Sequence, residues 1–128
     1  MDKTKLSNVK TSDIYKLDDG EITTINNCLI GAILTERYSK FFFEWYWKKK
    51  FFILTETHFI TKSRHYSFKR SYKLKNLKIN GIMCEDNLIY FTIYNKKTNK
   101  KIMSVTSINY KGLLLLHKEI TKNVNFFK

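Results

Sequence analysis

The hydrophobic period of this chain changes once, near Ser107. Before that residue, short apolar runs alternate with polar residues and end at polar turns, which is the pattern of β-strands. After it, one apolar face recurs at helical spacing and is formed by Tyr110, Leu113, Leu116, Ile120 and Val124. The sequence therefore predicts a mainly β protein with one C-terminal α-helix. Ser107 can cap that helix, which must bury its apolar face against the strands.

Seven strands are predicted ahead of the helix. The first two, 29–37 and 41–54, are the longest, and the second is rich in the aromatic residues that favour strands. The other five are shorter and cover residues 57–63, 72–74, 77–84, 88–94 and 101–106. Because the connections are short enough for consecutive antiparallel pairing, we expect a seven-stranded antiparallel barrel or sandwich capped by the helix.

The chain of 128 residues has the size of one domain with a single core. Residues 1–27 are polar and mixed in charge, so we interpret them as an N-terminal extension, 28–124 as the folded domain and 125–128 as a tail. No run approaches the roughly 20 apolar residues that cross a bilayer, and the N-terminus lacks the apolar core of a signal peptide. We therefore expect a cytoplasmic protein whose contact with membranes is peripheral.

The formal net charge of +13 is concentrated in one part of the chain. Residues 37–75 hold eleven Lys and Arg against two acids, whereas residues 1–27 hold four Lys against five acids. A field concentrated in this way attracts polyanions and speeds their encounter with the protein. The alternative interpretation is a solvated basic surface that only keeps the protein in solution.

Two segments resemble a known family. Gly31-Ala32-Ile33-Leu34 resembles the Gly-x-Leu-like first strand of pleckstrin homology (PH) domains. The run from Trp47 to Leu54, Trp-Lys-Lys-Lys-Phe-Phe-Ile-Leu, is similar to their Trp-Lys-Lys-Arg-Trp-Phe-Val-Leu-like second strand. The resemblance covers about residues 28–124 and implies a PH-like fold. The chain departs from the family at Leu116, where a helix tryptophan is typical, and at Thr61, where a tyrosine often lies near bound phosphate.

The resemblance also implies a phosphate site. PH domains that bind phosphoinositides carry a cation at the end of the first strand and a Lys/Arg-x-Lys/Arg pair on the second, which match Arg37 and the pair Lys48 and Lys50. Alternate strand residues share a face, so Lys48 and Lys50 should point to one side and Lys49 to the other. With cations of the intervening turn and of the connection after the third strand, the candidate anion-binding residues are Arg37, Lys40, Lys48, Lys50, Lys62 and Arg64.

Three consecutive phenylalanines, Phe41, Phe42 and Phe43, stand at the start of the second predicted strand. Alternation along a strand would place residues such as Phe41 and Phe43 in the core, so we expect most of the three to be buried and one to be exposed. The functional alternative is that apolar side chains beside a basic surface wedge into lipid headgroups.

Catalytic patterns are lacking in the sequence. The three histidines are scattered, and the acidic pairs at 18–19 and 85–86 read as turns. Neither a P-loop, nor a nucleophile elbow, nor a dinucleotide fingerprint is present. Cys28 and Cys84 are far apart and belong to no CxxC motif, so we expect thiols rather than metal ligands. We expect a protein that is not an enzyme and needs neither cofactor nor metal.

The leading functional hypothesis is a PH-like membrane-targeting module that binds anionic phospholipid or phosphoinositide headgroups through the basic first hairpin. The main alternative is a PH-like protein-protein interaction scaffold, since one fold serves many kinds of ligand. Its ligand would then use a groove beside the helix or the stretch 1–27. A nucleic-acid-binding barrel ranks third because the sequence has no RNP-like or zinc-finger pattern.

Overall fold

The computed structural model describes residues 17–25, 27–63 and 69–126. This part of the chain forms nine β-strands, a single 3₁₀ turn at Leu74–Asn76 and one α-helix. The strands are β1 (Ile22–Ile25), β2 (Cys28–Ser39), β3 (Glu44–Leu54), β4 (His58–Lys62), β5 (Lys69–Lys73), β6 (Leu77–Ile79), β7 (Met83–Glu85), β8 (Leu88–Asn95) and β9 (Lys101–Thr106), and the helix is α1 (Tyr110–Phe126). Within the described ranges, no helix combines the length and the apolar character that a bilayer crossing requires.

The strands form one antiparallel sheet in the order β5-β4-β3-β2-β9-β8-β6. Strand β1 pairs with β2, and β7 pairs with β8. The hairpin of β2 and β3 is the longest unit, since its ladder runs without a break from Leu29 opposite Leu54 to Ser39 opposite Glu44. A mainly β, antiparallel sheet followed by one C-terminal helix that packs on it is the fold class that the change of period predicts.

The strand count differs from the seven predicted. Strand β1 lies inside the stretch interpreted as an extension, and the predicted strand 77–84 is two strands, β6 and β7, on one edge of β8. Between them the Asn80 side chain accepts a hydrogen bond of 2.7 Å from the backbone N–H of Thr92. A side-chain amide replaces a ladder carbonyl there, so regular pairing stops and resumes at Met83.

The main core lies between the sheet and α1. Phe52, Phe59 and Phe91 are fully buried and meet the helix residues Leu113 and Leu116 in one apolar cluster. Ile120 is also buried and Val124 packs against this cluster, whereas Tyr110, at the start of the predicted face, is exposed. Burial of one such leucine stabilises the fold by about 1.5–3 kcal/mol, so the helix contributes substantially to the stability of the core.

A second, smaller cluster covers the other face of the hairpin base. It contains Cys28, Ile30, Ala32 and Phe51, with Leu17 packed against it. Neighbouring residues of β2 and β3 are therefore buried on both faces, which explains why their sequences are continuous apolar runs at this level and do not alternate.

A close backbone approach joins α1 to the segment before β1. A Cβ atom on Gly112 would overlap the carbonyl oxygen of Gly20. Gly20 has a left-handed φ of 84° and donates its N–H to the Ala32 carbonyl at 2.8 Å. The Asp19 carboxylate accepts a hydrogen bond of 2.9 Å from the N–H of Ile108. This contact explains why a helix tolerates a glycine that costs up to about 1 kcal/mol relative to alanine.

Candidate anion-binding site

The register of the β2–β3 hairpin places three predicted cations on one face. Residues directly opposite in an antiparallel ladder share a face, as do alternate residues of one strand. Lys50 is opposite Ile33 and Lys48 is opposite Thr35, so both lie on the face that leads into the main core. Arg37, two residues beyond Thr35, shares that face. Lys49 points to the other side, where its Nζ lies 5.2 Å from the centre of the Phe51 ring.

A fourth cation, Arg70, reaches the same face from β5. Thr61 of β4 is opposite Phe52 on one side and opposite Arg70 on the other. The result is a cleft of about 250 Å³ that is lined by Thr35, Glu36, Arg37, Lys50, Thr61, Arg70, Tyr72, Ile102 and Met103. We call this space, together with the neighbouring charge of Lys48, the cationic cleft.

Lys50 is the central charge of the cationic cleft. It is half-buried, and its Nζ donates a hydrogen bond of 2.5 Å to Ser63 Oγ. Burial, with further contributions from Arg37, Lys48 and Arg70, lowers the pKa of Lys50 from 10.5 to about 8. At neutral pH the ammonium still carries its charge. Partial burial and the neighbouring cations both disfavour this charge, and a bound anion would offset the repulsion between the cations.

Hydroxyl groups and one carboxylate surround these cations. The Thr35 and Thr61 side chains are buried, and Tyr72 is half-buried. The carboxylate of Glu36 is engaged elsewhere, since its Oε1 accepts a 2.9 Å hydrogen bond from Lys101 Nζ. Hydroxyl groups can donate to an anion as well as accept, so the walls of the cleft suit a phosphate.

The structure brings together only some of the six predicted site residues. Arg37 and Lys50 line the cationic cleft, and Lys48 lies near enough to Lys50 to help lower its pKa. Lys62 is opposite Phe51 in the ladder, so it lies on the other face of the sheet. Lys40 is exposed in the turn at the end of the hairpin. Arg64 lies outside the described residues.

Two residues of the cleft, Arg70 and Tyr72, were not among the predicted site residues. They stand two apart on β5 and share a face, which is the parity signal that could have identified them. The predicted strand began at residue 72, so Arg70 was interpreted as part of a connection. Tyr72 places a phenol in the cleft although position 61, where PH domains often carry a tyrosine, is a threonine.

The turn between β2 and β3 is a cluster of exposed aromatic rings. Phe41, Phe42 and Phe43 are 83%, 69% and 81% exposed, so the prediction that most of them are buried is wrong. The ladder ends at Ser39 and Glu44, and the three rings fall in the loop beyond it. The neighbouring Trp45 is 63% exposed, and the centre of its ring lies 5.0 Å from that of Tyr38. We call Tyr38, Phe41, Phe42, Phe43 and Trp45 the aromatic tip.

The histidines that the structure describes have structural partners. His58 Nδ1 lies 2.7 Å from Thr57 Oγ1, and His117 Nε2 lies 2.9 Å from the carbonyl oxygen of Asn80. Across residues 17–25, 27–63 and 69–126, no three His, Cys, Asp or Glu side chains are placed to hold a metal ion. Among the features described, the cationic cleft is the strongest candidate for a functional site.

Comparison with models of known protein families gives no match for this chain. Comparison with curated proteins gives none either. What is established is a mainly β fold, one antiparallel sheet followed by a C-terminal helix.

Proposed function

We propose that this protein is a PH-like module that binds anionic membranes by holding a phospholipid headgroup, such as that of a phosphoinositide, in the cationic cleft. It would act without catalysis and without a cofactor, as a peripheral protein on the cytoplasmic side of a membrane. The proposal of a PH-like fold within this β class is supported by the resemblance of the Gly31–Leu34 and Trp47–Leu54 segments, which lie in the paired strands β2 and β3.

The observation that carries the proposal is the convergence of four cations on a partly buried position. Lys50 has Arg37, Lys48 and Arg70 close enough to lower its pKa. Holding like charges together costs free energy, and a phosphate between them would turn that repulsion into attraction. Hydrogen bonds between such cations and a phosphate are among the stronger ones in proteins.

The roles of the cations differ by chemistry. Arg37 and Arg70 can each offer a planar fork of two parallel donors to a phosphate, whereas Lys48 and Lys50 act as point charges. The forks would set the orientation of the headgroup, and the lysines would add attraction. The hydroxyl of Tyr72 would contribute one further donor at the wall of the cleft.

A vesicle-binding experiment with matched variants tests this proposal. Binding to vesicles of phosphatidylcholine and phosphatidylserine should exceed binding to phosphatidylcholine alone and should weaken as salt rises. Lys48→Ala with Lys50→Ala should lower the affinity clearly more than Lys96→Ala with Lys97→Ala, in the exposed turn between β8 and β9. Both pairs remove two charges, so equal losses in two folded variants would leave a generic basic surface and no shaped site.

A protein ligand is the second candidate, and the outer side of α1 favours it. Tyr110 and Leu114 lie one turn apart and are 48% and 51% exposed, with Leu115 beside them at 40%. An apolar helix face of this kind is a common protein-docking surface. Absence of binding to every vesicle, by a folded protein, would favour this alternative over the membrane proposal.

A further inference from the structure

We propose that the aromatic tip enters the outer part of the bilayer and forms a second, apolar contact beside the cationic cleft. The inference rests on the proposed membrane function and deepens it, because it makes the source of the bound phosphate a lipid and not a soluble phosphate ester. The two contacts use different side chains and different forces, so they can be tested separately.

The exposure of the aromatic tip is the first observation. Phe41 and Phe43 are more than four-fifths exposed, and Phe42 and Trp45 more than three-fifths. The rings of Phe41 and Phe42 pack edge to face with 5.0 Å between their centres, and both remain largely exposed. Contiguous apolar surface of this kind marks an interaction site. Phenylalanine gains most when its ring leaves water altogether.

The backbone of the loop is the second observation. Phe43 has a left-handed φ of 54°, a conformation that favours glycine or asparagine and disfavours bulky residues. The loop is otherwise well formed, since the N–H of Phe42 donates to Ser39 Oγ at 3.1 Å. A large ring that is 81% exposed and holds a costly backbone conformation gives little benefit to the fold. Backbone strain of this type is found at ligand-contacting sites.

The order of side chains along the hairpin matches the layers of a bilayer. Phenylalanines occupy the end, the polar pair of Ser39 and Glu44 comes next, the pair of Tyr38 and Trp45 follows, and Arg37 lies behind them opposite Tyr46. Apolar rings prefer the acyl boundary, while Tyr and Trp prefer the interface and cations the phosphate level. At about 3.3 Å per strand residue, Arg37 lies about 10 Å behind the loop, which is the depth to which interfacial elements commonly insert, about 5–10 Å.

The charged residues around the aromatic tip favour a lipid bilayer as its binding partner. Lys40 in the loop has a long side chain that can reach back to headgroups while its neighbours insert. Three cations of the cleft, Arg37, Lys48 and Lys50, lie on the same hairpin and would face the same surface. Glu44, opposite Ser39 at the base of the loop, lies between the phenylalanines and Trp45, so its carboxylate must stay hydrated at the membrane interface. An anionic bilayer would suit the phenylalanines and the cations together, whereas Glu44 must remain in contact with water.

The first test removes the rings and keeps the backbone. The variant combines Phe41→Ser, Phe42→Ser and Phe43→Asn, the last of which suits the left-handed conformation. Affinity for vesicles of phosphatidylcholine and phosphatidylserine should fall by about a hundredfold, and most of this loss should persist at high salt because apolar contacts are not screened. The control is Ile108→Ser with Leu114→Ser, two exposed apolar residues near the start of α1 that should leave the affinity unchanged.

The second test reports insertion directly. The chain has two tryptophans, so Trp47→Phe leaves Trp45 as the sole indole. On addition of anionic vesicles, Trp45 emission should shift to the blue and should be quenched by lipids brominated on their acyl chains. An unshifted, unquenched Trp45 on bound protein would show that the aromatic tip stays in water.

The outcomes separate the two proposals. If the Lys48→Ala, Lys50→Ala variant loses affinity while the aromatic variant binds like wild type, the insertion is wrong and the cationic cleft stands. If the aromatic variant loses affinity for vesicles but still binds inositol hexakisphosphate like wild type, both the cationic cleft and the insertion of the aromatic tip are supported. If wild type binds no vesicle, both fail, and the aromatic tip then belongs to a protein interface.

Discussion

The ammonium group of Lys50 donates a hydrogen bond of 2.5 Å to the hydroxyl of Ser63, the residue that follows β4. This bond holds a charged side chain in a partly buried place among three other cations. The arrangement makes the fold and the candidate site depend on pH through the same residue.

Lys50 should make the folded state less stable at neutral pH than at alkaline pH. Its pKa is about 8 in the folded state and 10.5 as the ordinary value, so the unfolded chain binds more protons between these limits. The free energy of unfolding therefore rises with pH across this window. Lys50→Met should be more stable than wild type at neutral pH, and the difference should shrink towards pH 10.5. Urea unfolding of both proteins measures it, and a constant difference would contradict the depressed pKa.

Anion binding should take up protons near pH 8. An anion in the cationic cleft favours the charged form of Lys50 and raises its pKa, so affinity for anionic vesicles should fall as pH rises through about 8. Titration of vesicle affinity against pH checks this. The Lys50→Met variant should show a flatter profile, and a wild-type profile that is equally flat would remove Lys50 from the site.

Arg70→Ala should weaken binding to anionic vesicles more than Lys69→Ala. The two residues are neighbours on β5, but Arg70 lines the cleft whereas Lys69 is opposite Lys62 on the other face. Loss of hydrogen bonds to a charged group lowers affinity by about tenfold or more. Loss of one surface cation lowers it by about fivefold at most. Similar losses for both variants would mean that the headgroup does not enter the cleft.

Gly112→Ala should destabilise the fold although alanine is the better helix former. An exposed helical glycine normally gains about 1 kcal/mol on this change, but here the new methyl group meets the Gly20 carbonyl. We expect a loss of about 1–3 kcal/mol in the free energy of unfolding. Gly81→Ala is the control, because nothing lies within 4 Å of its Cβ position. A neutral Gly112→Ala would show that the Gly20 turn moves aside without cost.

Removal of the helix should abolish cooperative folding. A chain ending at Thr106 lacks Leu113, Leu116 and Ile120, all of which are completely buried. The milder variant Leu116→Ala should cost about 2–5 kcal/mol, measured by thermal or urea unfolding. A stable, monomeric protein that ends at Thr106 would mean that the sheet covers its own core.

The change of period near Ser107 was sufficient to predict the fold class, because a β pattern followed by one amphipathic helix admits few architectures. The common face of Lys48 and Lys50 was also predictable, since parity within one strand is independent of its partners. The burial of Ala32 and Phe51, on the face of the hairpin away from the main core, was not predictable. The residues that cover that face include Leu17, which is far away in the sequence.

The aromatic tip and Arg70 show what the sequence alone left open. Phe41 to Phe43 have high strand propensity, and only the register that ends at Ser39 and Glu44 places them in a loop. A shift of one residue in the predicted start of a strand changes which side chains face a cleft. The predicted strand that begins at residue 72 leaves Arg70 outside it, and the face on which Lys62 lies follows only from its pairing with Phe51.

The two halves of the β2–β3 hairpin differ in what they tolerate. Around Ala32 and Phe51 both faces are packed, so almost any polar substitution there disrupts the core. From Arg37 to Tyr46 the side chains are largely solvated, and changes there leave the packed half untouched. Residues at that end can therefore be changed without loss of folding, which makes this hairpin a suitable scaffold for re-engineered surface specificity.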